Sequence, residues 1–131
     1  MVGCGNDEHR VPLACLEGDL SSSLAKAPAE VRVDGTRISE CFTRAANPAE
    51  IQQVGAVFLA TAEKLAPSAR ANPHSPQALR LGYLIGAVRR GAGHTQGIHY
   101  ETQRRIEQEL IGVNTHAPEF VEGERAGEKN G

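Results

Sequence analysis

Tryptophan is absent from this 131-residue chain, and aromatic residues make up 4% of it, as three Phe and two Tyr. Any core must therefore be built from aliphatic and small side chains, with 14 Gly available for close backbone packing. An excess of one charge is lacking as well. The formal net charge is −2, which excludes a strongly basic nucleic-acid binder, and aromatics on which bases could stack are few. No apolar run approaches the roughly 18 residues that mark a membrane-spanning helix. Cysteine is scarce and odd in number, at three, and an odd count asks for an explanation. What remains, 40% hydrophobic and 23% charged residues, fits a single globular domain and not a disordered chain.

Three segments follow from the composition: a polar N-terminal tether over 1–10, one helical domain over 11–111, and a polar, glycine-rich tail over 112–131 read as disordered. Within the domain, Leu13, Leu16, Leu20 and Leu24 recur at three- and four-residue steps. That spacing predicts a first helix, weakened by Gly18 and the Ser21-Ser22-Ser23 run and ended by Pro28. Val31 to Ile38 is the strand-like stretch. Its Asp34-Gly35 step predicts a hairpin, because both central turn positions need positive φ. Val33 then pairs with Thr36 and Val31 with Ile38, leaving Arg32 and Arg37 on the other face. Ser39 reads as the cap of a short helix through Cys41 and Phe42.

Asn47-Pro48-Ala49-Glu50 is a helix start, with a cap residue, a proline in the first turn and a carboxylate three residues after the cap. The stripe Ile51, Val54, Gly55, Phe58, Ala62 and Leu65 carries that helix to about Ala66, before a loop from Pro67 to Ser75. Ser75-Pro76 opens the next, with Ala78, Leu81, Gly82, Ile85 and Val88 on one side and a break at Gly91-Ala92-Gly93. The last helix begins between Thr95 and Ile98 and reaches about Ile111, with Glu101 and Arg105 as an i,i+4 pair. Gly55, Gly82 and Gly86 each cost about 1 kcal/mol against Ala inside a helix and so imply close interhelical approach. The expected fold is mainly α: a small bundle of about four helices with one short hairpin near residues 31–38.

Cys15 and Cys41 allow two readings: a pair of buried free thiols, or a disulfide tying the N-terminal segment to the hairpin region. The disulfide is the expectation, and it requires an oxidising compartment. Val2-Gly3-Cys4-Gly5 followed by Asn6-Asp7-Glu8 resembles the end of a bacterial lipobox, in which the cysteine carries a lipid anchor. The apolar stretch that precedes such a cysteine is missing here. Either the reading frame starts upstream of Met1, or Cys4 is a chance cysteine. The runs Leu13-Ala14-Cys15-Leu16, Val33 to Cys41 and Leu79 to Ala87 resemble a group of uncharacterised lipoprotein-like proteins of high-GC, actinobacterial-type bacteria. The resemblance covers about residues 11–111; it implies an envelope location and supplies no activity.

No catalytic constellation or cofactor motif stands out. His94 and His99 are five apart, whereas helical metal ligands want three or four, and neither C-x-x-C nor H-E-x-x-H occurs. The glycine-rich turn from Gly91 to Gly97, next to Arg89-Arg90, suits an interhelical turn or an anion or small-ligand site centred on Arg89, Arg90, His94, Thr95 and His99. The expected function is therefore non-enzymatic: an extracytoplasmic, lipoprotein-type helical module on the bacterial surface, binding another envelope protein, a wall polymer or a small ligand. Two alternatives stand beside it, a ligand-, anion- or metal-binding protein using the Gly91–His99 turn, and a cytosolic helical regulator.

Overall fold

The computed structural model describes residues 10–93, 95 and 97–131. The expected anchor Cys4, with nearly all of the tether, and His94 of the candidate turn lie outside these residues. Five α-helices and one antiparallel hairpin account for the regular structure described: β1 (Arg32–Val33), β2 (Thr36–Arg37), α1 (Glu40–Arg44), α2 (Pro48–Ala71), α3 (Pro76–Gly93), α4 (Tyr100–Glu107) and α5 (Pro118–Asn130). The fold is mainly α with a short hairpin at its side.

The hairpin forms in the register that its turn chemistry dictates, Val33 opposite Thr36 and Arg32 opposite Arg37. Asp34 and Gly35 both take positive φ, 51° and 76°. Two strands this short need a third surface, and Val31, Val33, Thr36 and Ile38 are all buried. The Val31 N–H donates to the phenolic oxygen of Tyr83 on α3 at 2.9 Å. Burial also pushes the Tyr83 hydroxyl above its ordinary pKa, so it stays neutral and able to accept that bond.

The predicted first helix does not form as an α-helix. Its place is taken by two 3-10 turns, Leu13–Cys15 and Ser23–Lys26. Between them Gly18 sits at φ 72°, which ends any right-handed helix there. The leucine spacing marked buried residues only in its second half: Leu20 and Leu24 are almost fully enclosed, whereas Leu16 is half-buried and Leu13 is exposed. One hydroxyl secures the segment: Thr61 Oγ1 on α2 accepts from Leu20 N at 2.8 Å and donates to Val57 O at 2.7 Å.

α2 begins with the expected reciprocal cap. Asn47 Oδ1 accepts from Glu50 N at 2.9 Å, and Glu50 Oε1 accepts from Ala46 N at 2.9 Å. It then passes through Pro67 and ends at Ala71, not at Ala66. The last turn is held because Ala69 is buried and Arg70 donates to the carbonyls of Ile111 and Glu109, at 2.8 and 3.0 Å. These contacts offset the backbone bond that Pro67 removes. α3 likewise runs through Gly91 to Gly93 without the predicted break. A Cβ on Gly91 would come within 3.1 Å of Phe42 Cδ2, so this glycine lets α1 lie against α3 and does not mark a turn.

The largest departure is at the C-terminus. The segment read as a disordered tail is α5, packed along α3 with Phe120, Gly123 and Gly127 buried. Gly82 and Gly86 on α3 meet Gly123 and Gly127 on α5. A Cβ on Gly82 or Gly86 would strike the carbonyls of Phe120 or Glu124. One on Gly123 or Gly127 would strike those of Leu79 or Tyr83. The close approach predicted for Gly82 and Gly86 is real, and its partner is α5. The middle and the C-terminal end of α5 are fastened as well: Arg89 pairs with Glu124, Arg90 Nη1 donates to the carbonyls of Glu128 and Lys129, and Ser39 Oγ donates to Gly131 O at 2.7 Å. α3 thus becomes the central helix, touching α1, α2, α4 and α5.

Candidate functional site

The described residues of the candidate site around the Gly91–His99 turn are engaged within the protein or turned inward. Arg89 is committed to Glu107, at 3.3 Å, and to Glu124. Arg90 is committed to the α5 carbonyls, where a cation also offsets the negative end of the helix dipole. Thr95 Oγ1 donates to Ala92 O at 2.7 Å. His99 is 1% exposed and faces inward. The two arginines are docking residues for α5. Sequence reasoning could not assign them that role while 112–131 was read as a tail. Among the described residues, no three His, Cys, Asp or Glu side chains group as a metal site.

His99 has a structural chemistry of its own. Its ring stands edge-on to Phe42, with centroids 4.9 Å apart. Nε2 lies 3.0 Å from Phe42 O, and a carbonyl can only accept, so Nε2 carries the proton of the neutral ring. Nδ1 is buried with no partner among the described residues. Burial holds the His99 pKa below its ordinary value of 6.5, against the smaller opposing effect of the Phe42 bond. The unfolded chain therefore takes up this proton at a higher pH than the folded one does. Stability from His99 is full above about pH 6.5 and declines as pH falls toward the folded-state value, by at most about 1.4 kcal/mol per pH unit. Denaturation of wild type and His99→Leu between pH 7.5 and 5 is expected to show a shallower acid slope in the variant. Identical slopes would refute the role.

Cys15 and Cys41 are disulfide-bonded, with Cα atoms 5.7 Å apart, as expected from the sequence. Both are fully buried. The bridge joins the 3-10 turn Leu13–Cys15 to α1, whose Phe42 in turn contacts Phe58 of α2 at a centroid distance of 4.6 Å.

Two hollows remain. One, of about 320 Å³, is lined by Ser21, Ser22, Ser68, Lys64, Gln77 and Arg80 among others. Its Lys64 is partly neutralised by Asp19 at 3.5 Å. The other, of about 300 Å³, runs between α2 and α4 and is lined by Ile51, Gln52, Gly55, Ala56, Leu59, Thr102, Arg105 and Ile106. Gly55 brings the helices together there, since a Cβ would come within 3.0 Å of Thr102 Cγ2. The sequence paired Glu101 with Arg105. In the structure Glu101 pairs with Arg104 at 2.5 Å, and Arg105 is left at the groove. Ile51 and Gly55 belong to the stripe read for α2, and Thr102 and Ile106 stand four residues apart on the helix predicted to reach Ile111; the hollow between them was not legible in the sequence. Among the described residues no helix is long and apolar enough to cross a membrane. No protein-family model matches the chain, and no curated protein or solved structure is significantly similar to it.

Proposed function

We propose that this chain is a non-enzymatic binding module that works outside the bacterial cytoplasm, at the cell envelope. The observation that carries the reading is the Cys15–Cys41 disulfide. Such bonds persist in oxidising compartments and are rare where glutathione and thioredoxin keep thiols reduced. This one fastens a segment with no α-helix of its own, so the fold gains most where the bond is safe. The resemblance of residues 11–111 to envelope lipoprotein-like proteins points the same way. Cys4 is the proposed point of lipid attachment, on the resemblance of Val2-Gly3-Cys4-Gly5 to the end of a lipobox. In this reading the module works by presenting the α2–α4 groove to a ligand, while the disulfide and α5 hold the helices around it.

Expression from the native locus, with whatever sequence precedes Met1, followed by alkylation of free thiols in intact cells and mass analysis, tests the compartment. The expected result is envelope-fractionated protein with Cys15 and Cys41 unalkylated. A Cys4→Ser variant is expected to leave the membrane fraction while keeping the disulfide. Cytosolic protein with both thiols alkylated would overturn the reading in favour of the cytosolic regulator.

A further inference from the structure

We infer that the groove between α2 and α4 is a binding site for a small anionic amphiphile, an alkyl chain bearing one carboxylate. Its walls are Ile51, Ala56 and Leu59 on α2 and Ile106 on α4, so the hollow favours hydrocarbon. A hollow of about 300 Å³ lies at the small end of the range for ligand sites and suits a short alkyl chain, for which octanoate serves as the probe.

The charge comes from Arg105. Each nearby carboxylate of α4 and of the turn after it is already engaged: Glu101 with Arg104, Glu107 with Arg89 and Gln103, Glu109 with Arg70. Among the described residues no carboxylate lies within ion-pair distance of Arg105, which attracts Glu101 only from further off and is left at the edge of an apolar hollow. A guanidinium in that position offers a planar pair of N–H donors matched to a carboxylate. Thr102 and Gln52, also on the lining, add polar groups beside it. A cationic or neutral head on the same chain gains no such partner.

This inference rests on the binding-module reading, yet its test is independent of the compartment. Titration of the ¹⁵N-labelled protein with octanoate, octanol and octylammonium, each below its self-association range, reads both affinity and location. Octanoate is expected to give saturable amide shifts centred on Gly55, Ala56, Thr102 and Ile106, with octanol weaker and octylammonium weakest. Arg105→Gln removes a charge-assisted bond at a partly exposed position and is expected to weaken octanoate about tenfold, leaving octanol unchanged. Ala56→Phe fills the hollow from an exposed position and is expected to abolish binding of both. Circular dichroism of the variants checks that they fold, and Arg105→Gln alone still decides the matter if Ala56→Phe does not. Absence of saturable shifts with octanoate, equal binding of octanoate and octylammonium, or indifference to Arg105→Gln would each overturn the assignment. Any of these outcomes in a protein found disulfide-bonded at the envelope removes the ligand and leaves the compartment reading intact.

Discussion

Gly127→Leu is expected to detach α5 and to lower stability by about 3 kcal/mol or more, the upper range for overpacking a site that cannot relax. At this glycine the obstacle is main chain. A Cβ would meet the Tyr83 carbonyl, and lie 3.0 Å from Ala87 N. A flexible side chain could swing aside, whereas a helix backbone can yield only if the whole helix moves. Moving α5 strips the cover from Phe120 and breaks the Arg89–Glu124 pair, so the loss spreads beyond one residue. The comparison with alanine gives the sign. In an open helix Gly→Ala is worth up to about 1 kcal/mol of added stability. Gly93 has nothing within 4 Å of an added Cβ, and Gly93→Ala is expected to be neutral or stabilising. Gly127→Ala and Gly86→Ala are expected to destabilise in spite of the same intrinsic gain. Chemical denaturation of the three alanine variants, with limited proteolysis of Gly127→Leu to locate the released segment, measures both effects. A Gly127→Ala protein as stable as wild type would end the account of α5 docking.

That helix also marks where the sequence could and could not be read. Hydrophobic periodicity finds a buried face by its apolar side chains, and α5 offers one large one, Phe120. Its other buried positions are Gly123 and Gly127, which carry no hydrophobic signal and count against helix by propensity. The signal that was present was the matched four-residue spacing of Gly82-Gly86 and Gly123-Gly127, two backbones able to approach each other only where both lack Cβ atoms. Features decided within a few residues were legible: the Asp34-Gly35 turn and its register, and the Asn47–Glu50 cap. The Cys15–Cys41 pairing was legible for another reason, since a bridge there ties an N-terminal segment weakened by Gly18 and three serines to the hairpin region. Features decided by distant partners were not. Arg89 and Arg90 looked like an anion site because Glu124 and the α5 carbonyls were not yet beside them. The ligand groove needed α4 in place over Gly55, with Glu101 turned to Arg104 instead of Arg105.

Reduction of the Cys15–Cys41 bond is expected to cost about 3 kcal/mol, the chain-entropy value for closing a loop of this length. The bond spans 26 residues, and the segment it controls has little else to order it. From Val11 to Pro28 the chain makes two 3-10 turns, and what holds it is the burial of Leu20 and Leu24 and the Thr61 bond to Leu20 N. Each of those contacts depends on the segment already lying along α2, which the bridge secures in advance. Loss of the bond should therefore act in two stages as denaturant rises. The segment opens first, exposing proteolytic sites near Arg10 and Lys26, and the helices around α3 unfold later. A fall of about 3 kcal/mol is a large share of the 5–15 kcal/mol typical of small domains, so the reduced chain would spend far more time open. Equilibrium denaturation with and without reductant measures the loss, and Cys15→Ala/Cys41→Ala should match the reduced protein and ignore the reductant. Equal stability of oxidised and reduced protein would remove the structural argument for an oxidising compartment. A loss near the expected size makes the reducing cytosol a place where this fold is poorly held, and ties the location of the module to the physics of its least regular segment.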